Sequence, residues 1–314
     1  MASVAVTRPI LVVLGLLLVA PLTFGSVDYI GFVVDDPAVE SLLKKDFIPR
    51  VDKPYVDISG RRYYIGKLQG ADVVIVNTGE HPVNVASGLQ VLIDNFLPYG
   101  IISVTTAGST DDNALEVGDV SLPEKIAFTG YWKWKQAEAS GGDLVFGEYN
   151  VPESGQNSLG SIKFRETKFY TPDGSSTDVI EIPVTAKWLA IANKIEDFTL
   201  QQCLGASSSN CLNESPKVVS NSVTSSSVIY VNNKAYRDFL SNEFGASTVD
   251  EGSAAVAFTC GSSGIDFLVV RGVSNYAGGP GRNSRFGELG AINAVEVAKT
   301  FIPYLNHSTS VFEY

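Results

Sequence analysis

The sequence contains very little histidine and cysteine. Two histidines and three cysteines occur in 314 residues, so a zinc site built from these side chains is not expected. No strand-to-helix nucleophile turn is evident, which argues against Ser-His-Asp hydrolase chemistry. Neither a metal nor a metal-dependent reaction is therefore predicted.

Basic residues are also scarce. The chain carries 23 Lys and Arg residues against 34 Asp and Glu residues, which gives a formal net charge of −11 at pH 7. Because an acidic surface repels phosphate backbones, nucleic acid is not an expected partner.

Long apolar runs are missing beyond the amino terminus. There, Arg8 precedes an apolar run over residues 10–20, followed by Pro21 and by small or uncharged residues. The run is too short for a membrane helix and is typical of a secretory signal, with Gly25 or Ser26 before the cut. We predict a signal peptide over residues 1–25 and a mature domain over residues 26–314, with an uncleaved signal anchor as the alternative. The expected location is the secretory pathway, extracellular or vacuolar, without membrane attachment after cleavage.

The cysteines and two glycosylation sequons are consistent with the secretory pathway. Cys203 and Cys211 lie in a short loop rich in Gly, Ser and Asn, where a local disulfide is sterically easy, and two free thiols are the alternative. Cys260 follows an apolar stretch and is expected to be a small buried residue. Asn213 and Asn306 begin Asn-X-Ser sequons, which predict a glycoprotein if the chain is secreted.

Apolar residues are abundant and regularly spaced. Hydrophobic residues make up 45% of the chain and charged residues 18%, a composition typical of a globular protein. No repeat or polar linker divides the chain, so one domain is expected. Apolar runs alternate with amphipathic patterns, which predicts an α/β fold with a central mixed sheet flanked by helices. The expected strands cover residues 30–34, 73–77, 101–105, 217–219, 228–231 and 267–273, and the expected helices 82–97, 185–198, 233–244, 253–260 and 286–305.

Two segments carry more specific expectations. The helix over 185–198 is expected to begin on a capping Thr185 and to bury Trp188, Ala192 and Ile195. Residues 138–182 are rich in Gly, Ser and Asp, with strand-like pieces such as 143–146 and 163–169. We interpret them as a β-hairpin excursion on the rim or as a mobile surface loop, and both alternatives stay open.

Three predicted turns lie where strands end, at residues 78–80, 106–109 and 274–279. Ligands of α/β sheets bind at the carboxyl ends of strands, so these turns are expected to meet in one pocket. The small residues Thr106, Ala107 and Gly108 would let backbone amides approach an oxyanion or a sugar closely. The pattern therefore predicts a small-ligand site.

The surrounding motifs carry a family resemblance. The turn at 106–108 is followed by Val-Gly-Asp-Val at 117–120, and further matching pieces lie at 29–34, 78–79, 203–211, 230–233, 253–257 and 271–279. Together these pieces resemble the purine nucleoside phosphorylase and nucleosidase superfamily, and best of all its plant bark and vegetative storage proteins. Trp132 and Trp134 also have counterparts in that plant branch.

The resemblance implies a single-domain nucleoside phosphorylase-type fold and cleavage of the N-glycosidic bond of purine nucleosides. The implied partner is a small-molecule nucleoside, and the implied assembly is a homo-oligomer. No cofactor is implied, apart from phosphate as the co-substrate of a phosphorylase. The alternatives are a catalytically degenerate storage protein of the same fold and a non-catalytic nucleoside or base binder.

By the same resemblance, several residues acquire roles in the site. Thr106, Ala107 and Gly108 lie where the nucleophile and substrate bind, and Tyr230 matches an aromatic residue that stacks on the base. Tyr230 has a core role as its alternative. Ser274 and Asn275 face the purine.

Two catalytic positions depart from the family pattern. Gly252 stands where a ribose-binding glutamate belongs, and Glu251 takes that role only if the chain bulges there; otherwise it is a helix-start carboxylate. Asn275 replaces an aspartate. Its amide can donate to N7 and accept from N1 of a 6-oxopurine, and a turn-supporting role is the alternative.

Residues 35–40 follow the first strand, where the nucleosidases carry a water-activating carboxylate. No carboxylate there matches the family register, and a helix start with an Asp cap and Pro37 is the favoured interpretation. Val39 stands near the position of a phosphate-binding arginine. Asp36 with Pro37 resembles the phosphorylase phosphate loop only faintly, and an acidic side chain there would repel phosphate. His81 is expected to be structural.

Overall fold

One mixed β-sheet forms the centre of the protein. The computed structural model describes residues 28–309 apart from 112, 136–160, 196, 206 and 280–282, so the predicted signal peptide lies outside it. The strands are β1 (Ile30–Val34), β2 (Ile48–Pro49), β3 (Tyr55–Ile58), β4 (Arg61–Leu68), β5 (Ala71–Asn77), β6 (Gly100–Ser109), β7 (Val120–Phe128), β8 (Trp132–Lys135), β9 (Ser161–Phe164), β10 (Thr167–Tyr170), β11 (Ser176–Val179), β12 (Glu181–Pro183), β13 (Val218–Ser226), β14 (Thr248–Asp250) and β15 (Asp266–Tyr276). The helices are α1 (Pro37–Leu43), α2 (Pro82–Phe96), α3 (Ala186–Ala192), α4 (Lys234–Phe244), α5 (Ser253–Ser263) and α6 (Gly287–Thr309).

Parallel strands occupy the middle of the sheet. Among the described residues, the main sheet has eleven strands in the order β12-β7-β13-β14-β6-β1-β5-β4-β2, with β15 paired to β6 and β7 and β3 paired to β4. Strand β1 is parallel to both β5 and β6, and β15 is parallel to β6. Parallel strands buried on both faces require helices on both sides, which explains why all five residues of β1 are buried. Helices α2 and α5 pack together against the sheet, and α6 packs with α1 and α3.

The backbones of β15 and α6 approach each other unusually closely. A Cβ atom on Gly272 would lie 1.8 Å from the Gly290 carbonyl oxygen, so neither strand nor helix tolerates a side chain at this contact. The close contact sets the position of the carboxyl end of β15, where Ser274 and Asn275 lie.

Most of the predicted elements are confirmed, with three corrections. Residues 228–231 form no strand, because the neighbouring strands β7 and β14 both end opposite Ser226 and leave no pairing partner beyond it. The helix predicted over 185–198 ends as an α-helix at Ala192 and continues as a 3₁₀ turn over Asn193–Ile195. Thr185 occupies the N-cap position, but its hydroxyl accepts a hydrogen bond from the Phe267 amide at 2.9 Å instead of capping the helix. Trp188, Ala192 and Ile195 are buried as predicted.

The third correction concerns the predicted turns at 106–109 and 274–279. Strand β6 continues through Ser109 and β15 through Tyr276, because the two strands stay paired with each other and β14 pairs with β6 at Gly108 and Ser109. A register shift between Val273 and Asn275 interrupts the pairing at Ser274. The small residues at 106–108 therefore lie in a paired strand and not in a turn.

The segment 138–182 is described only from residue 161 onward, so the strand-like piece at 143–146 lies outside the described residues. Strand β9 pairs with β8, and β10 and β11 form an antiparallel hairpin. The hairpin interpretation is confirmed for the described part.

The cysteine predictions are also confirmed. Cys203 and Cys211 form a disulfide, and Cys260 is a buried free thiol whose pKa is raised by burial. Asn213 is exposed, as a glycosylation site requires, whereas Asn306 lies in α6. Within the described part of the chain, no helix combines the length and the apolar character needed to cross a bilayer.

Candidate functional site

A cavity of about 330 Å³ opens at the carboxyl ends of β1, β6 and β15. All seven residues predicted from the sequence to form the site line it: Thr106, Ala107, Gly108, Tyr230, Glu251, Ser274 and Asn275. The structure thus brings together segments that are up to 169 positions apart in the chain. The remaining lining residues are Asp35, Asp36, Glu80, Thr105, Ile229, Val231, Val249, Asp250 and Ala277.

One wall of the cavity is apolar. Ile229, Val231, Val249 and Ala277 belong to a small hydrophobic cluster that lies beneath it. The Tyr230 side chain is 74% exposed at the mouth of the cavity, which overturns the core alternative for this residue. An exposed ring beside an apolar wall can cover a flat heterocycle.

The carboxyl end of β6 supplies the small residues. Thr106, Ala107 and Gly108 reach the cavity from within a strand that is paired with β15, so the predicted turn is wrong. A Cβ atom on Gly108 would lie 3.3 Å from the Cβ atom of Ala277, which is a tight contact. Larger side chains would therefore not fit at this position.

A buried ion pair lies at the floor of the cavity, where Asp250 belongs to the lining and its partner Arg271 does not. The Arg271 and Asp250 side chains are 0% and 3% exposed, and Arg271 Nε lies 2.7 Å from Asp250 Oδ2. The guanidinium also donates to the carbonyl and hydroxyl oxygens of Ser103, each at 3.1 Å. Every charge-bearing atom of Arg271 thereby has a partner, as a buried cation requires.

Asp250 also holds the amino terminus of α5. Its Oδ1 accepts hydrogen bonds from the amides of Gly252 and Ser253 and from the Ser226 hydroxyl, at 2.9 to 3.0 Å. Burial by itself raises the pKa of Asp250, but the charge of Arg271 and the hydrogen bonds from Ser253 outweigh it and lower the pKa overall. Asp250 is therefore a structural anion.

Sequence reasoning did not identify this pair. The available signal was Arg271 itself, which lies within the apolar run of β15, where a cation requires a buried partner. Asp250 lies immediately before Glu251 and Gly252, the two positions at which the sequence departs from the family pattern.

The sequence favours a helix start for Asp35 and Asp36 together, but the structure gives the two residues different contacts. Asp36 is the N-cap of α1 and accepts a hydrogen bond from the Ala38 amide at 2.7 Å, so the cap interpretation is confirmed for this residue. Asp35 instead turns to the cavity, where the Thr105 hydroxyl donates to its Oδ1.

Asp35 has fewer partners than Asp250 and titrates differently. Burial raises the pKa of Asp35 above its ordinary value, and the opposing charge of Arg271 and the hydrogen bond from Thr105 do not compensate for it. Asp250 adds to the increase by like-charge repulsion. A carboxyl group with a raised pKa in a cleft is a common feature of functional sites.

Glu251 precedes Gly252, the N-cap of α5, and lines the cavity, where its Oε2 is buried. Its Oε2 lies 2.6 Å from His81 Nδ1, without the angle of a hydrogen bond, so the contact is an ion pair only when the imidazole is protonated. His81 begins α2 with a positive φ of 75° and makes no side-chain cap. Glu251 thus contacts a residue from another element, and its buried Oε2 has no hydrogen-bond partner among the described residues.

Asn275 is held by its neighbours but retains hydrogen-bonding capacity. Its Oδ1 accepts from the Ser274 hydroxyl and its Nδ2 donates to the Tyr276 carbonyl, both at 3.0 Å. An amide group has a second N–H and a second lone pair on oxygen. Asn275 can therefore support the backbone and still offer one donor and one acceptor to a ligand.

The described charged residues that line the cavity have one sign. Five of them are Asp or Glu, and none of the described lining residues is Lys or Arg. The nearby cations are engaged elsewhere: Arg237 with Asp238 and the Ala277 carbonyl, and Arg61 with Thr78 and Asn84. Among the described residues, no group of three His, Cys, Asp or Glu side chains is placed to hold a metal ion.

Comparison with known proteins gives the family context. Residues 29–303 match the family model of the phosphorylase superfamily. The chain is 42% identical over 257 residues to Bark storage protein A of Populus deltoides, which covers 82% of this chain and 81% of that protein. It is also 23% identical over 244 residues to the 5'-methylthioadenosine/S-adenosylhomocysteine nucleosidase of Halalkalibacterium halodurans, covering 76% of this chain and 84% of that protein.

Solved structures share the fold. The nucleosidase of the same name from Colwellia psychrerythraea, in complex with adenine, aligns with a TM-score of 0.62 at 18% identity and covers 89% of this chain and 96% of that one. The Helicobacter pylori enzyme with butyl-thio-DADMe-Immucillin-A aligns with a TM-score of 0.61 at 18% identity, covering 88% and 99%. At this level of identity the alignments establish the α/β fold.

Proposed function

This chain belongs to the phosphorylase superfamily, and we propose that its cavity binds a purine nucleoside and cleaves the N-glycosidic bond with water. The resemblance and the fold predicted from the sequence are both confirmed. The observation that carries the proposal is the cavity itself, which combines an exposed aromatic ring, a polar strand end and several carboxyl groups.

The dimensions and the chemistry of the walls support a nucleoside. A volume of about 330 Å³ lies at the lower end of the range usual for small-ligand sites. The Tyr230 ring offers a surface for a planar base, and the free donor of Asn275 suits a ring nitrogen such as N7. The carboxyl groups can accept hydrogen bonds from sugar hydroxyls. The nucleosidase relatives in complex with adenine and with an immucillin support the same ligand class.

The charge of the cavity supports water and not phosphate as the nucleophile. A phosphate ion would have to lie among Asp35, Asp36, Glu80 and Glu251 without a Lys or Arg among the described lining residues. The same carboxylates favour the positive charge that develops on the sugar as the bond to the base breaks. Electrostatics therefore favour hydrolysis over phosphorolysis.

In hydrolysis the water that adds to the sugar carbon gives up one proton and the departing base takes up one, so at a site with Asn275 in place of an aspartate the base takes its proton from water. Asn275 has no acidic proton to give, but its amide can stabilise the leaving nitrogen by a hydrogen bond. The loss of a carboxylic acid at this position predicts slow turnover, and it favours bases that leave readily.

The release of free base and free sugar tests the proposed cleavage. The purified protein is incubated with inosine, adenosine and 5'-methylthioadenosine, with and without phosphate, and the products are separated by chromatography. We expect base release without phosphate, and slower release by Asn275→Ala. Release that requires phosphate would show a phosphorylase, and binding without release would show a nucleoside-binding protein.

A role in storage is the second candidate, favoured by the 42% identity to Bark storage protein A and to the related protein B. Both relatives are plant storage proteins by name, and storage requires delivery through the secretory pathway to the vacuole or the cell exterior. We propose that route for this chain as well. Sequencing the amino terminus of the mature protein tests it, since delivery predicts a start near residue 26 and the anchor alternative predicts an intact leader.

A further inference from the structure

The contact between His81 and Glu251 joins two elements beside the cavity. Glu251 lies just before α5 and lines the cavity, and His81 lies just before α2. Glu251 Oε2 is buried without a hydrogen bond, and it lies 2.6 Å from His81 Nδ1. Because a buried anion without a partner is unfavourable, the charge on His81 decides how well this carboxylate is held in place.

The loop that carries His81 is fixed by its own side chains. Asn77 Oδ1 accepts a hydrogen bond from the Gly79 amide at 3.0 Å. The side-chain amide of Asn84 donates to the Glu80 carbonyl at 2.9 Å. These bonds hold the chain immediately before His81, so the fold itself places the imidazole next to Glu251.

The backbone of His81 is strained. Its φ of 75° and ψ of 142° form a combination that side-chain-bearing residues rarely adopt. A glycine would adopt this conformation without strain, so the imidazole occupies the position at a cost to the stability of the fold. Strain of this kind is concentrated at functional sites, where the surrounding structure maintains it.

The charged groups around this contact are mostly anionic. The carboxylates that line the cavity together with Glu251 are Asp35 and Asp36 after β1, Glu80 in the loop and Asp250 in β14. The two nearby guanidinium groups are engaged elsewhere, Arg271 with Asp250 and Arg61 with the Thr78 carbonyl and Asn84. Helix α5 contains no charged residue, and Asp94, the one charged residue of α2, lies near its far end. A proton on His81 therefore adds a positive charge that the described lining residues do not supply.

We propose that His81 is a positioning residue whose protonated imidazole pairs with Glu251 and holds it in the lining, so that mild acid strengthens nucleoside binding. The inference rests on the proposed function and adds its regulation by pH. Histidine is the side chain that changes charge between about pH 5 and pH 8. The protonated form gives the buried oxygen an opposite charge, and the preorganised wall then binds a ligand with less ordering. The neutral form leaves Glu251 without an ion pair, and the carboxylate turns toward water.

The exposure of the two side chains sets the size of the effect. The His81 side chain is 60% exposed and that of Glu251 is 22% exposed. Water screens an ion pair of this kind, so we expect protonation of His81 to change the affinity about threefold to fivefold.

The test is the dissociation constant of adenosine by calorimetry, or KM where turnover is fast, at about pH 8 and about pH 5.5. His81→Gln should reduce the ratio of the two dissociation constants about threefold to fivefold relative to the wild type, because it removes the cation. His307→Gln, at the other histidine of the chain, is the matched control and should keep the wild-type ratio. Asp35 also takes up a proton in acid, since burial raises its pKa, but all of these proteins share its contribution.

Two further variants separate the charge of His81 from its structural effect. His81→Gly removes both the cation and the backbone strain, so it covers the case in which His81→Gln folds poorly, and it should lose the same part of the ratio. His81→Lys keeps a cation at both pH values, so its affinity should match that of the acidic wild type throughout.

The outcomes distinguish this inference from the proposed function. Neutral variants that keep the wild-type ratio, or a lysine variant that binds as weakly as they do at both pH values, overturn the inference and leave the proposed function intact. A wild type that binds no purine nucleoside at either pH overturns both.

Discussion

The floor of the cavity and its open wall contain the same kind of side chain in two different states. On the floor, Asp250 receives hydrogen bonds from several neighbours and a full charge partner in Arg271. On the wall, Asp35 receives one hydrogen bond from Thr105 and faces the cavity. The difference shows that a carboxylate whose partners are all supplied by the protein has a structural role. A carboxylate with an open oxygen is available to a ligand.

Breaking the Asp250–Arg271 ion pair at the floor of the cavity is expected to have the largest effect, which is on the free energy of unfolding. Arg271→Met leaves Asp250 buried without a countercharge, and removing one partner of a buried pair costs about 3–5 kcal/mol of unfolding free energy. Urea unfolding followed by circular dichroism measures the loss. The double variant Asp250→Leu with Arg271→Met should recover only part of it, because it removes both charges but leaves the amides of Gly252 and Ser253 without their acceptor. A loss below about 1 kcal/mol in the single variant would contradict the structural role of the pair.

Substitutions in the open wall of the cavity should change ligand affinity and leave the fold intact. Tyr230→Ala removes an exposed ring from the mouth of the cavity, so we expect an affinity loss for purine nucleosides of about fivefold to tenfold, equivalent to about 1 kcal/mol of stacking. Tyr170→Ala is the matched control, because it removes an exposed ring that does not line this cavity. Equal affinities for the Tyr230 variant and the wild type would show that the ring does not cover the base.

The smallest expected effect is a pH dependence of opposite sign at the two aspartates. Because the fold raises the pKa of Asp35, the native state holds that proton more tightly than the unfolded chain does. The stability contributed by Asp35 is therefore present at low pH and is lost as the pH rises through its folded pKa. Asp250 has a lowered pKa, so its contribution is present above the ordinary aspartate pKa and is lost as the pH falls.

Thermal unfolding between pH 4 and pH 8 measures this difference. Asp35→Asn should gain stability relative to the wild type as the pH rises, because the amide cannot ionise in the buried site. Asp72→Asn serves as the reference for loss of an exposed carboxylate. A wild type that gains stability over the variant across the same range would show that Asp35 is better compensated than its contacts indicate.

The sequence predicted the elements and the location of the site better than its detailed chemistry. Local patterns are enough to identify strands such as β1 and the amphipathic helix α2, since burial follows the apolar periodicity. Family motifs identified seven of the residues that line the cavity, because strand ends of one sheet meet at one edge. The roles proposed for these residues stay predictions.

What the sequence could not supply depends on long-range pairing. Strand β6 continues through Gly108 only because β14 and β15 pair with it there, and neither partner is near in the chain. Residues 228–231 have the composition of a strand, but both neighbouring strands end before them. The different states of Asp35 and Asp36 could not be separated either, since the two adjacent carboxyl groups differ only in what the fold places opposite them.

The central claim is that the cavity cleaves a nucleoside with water, and isotope transfer tests it most directly. The protein is incubated with the best-bound nucleoside in ¹⁸O-labelled water containing phosphate, and the sugar product is analysed by mass spectrometry. We predict free sugar carrying one ¹⁸O atom, with the same rate at all phosphate concentrations. Sugar 1-phosphate as the product, or no product at all from any purine nucleoside, would contradict this account.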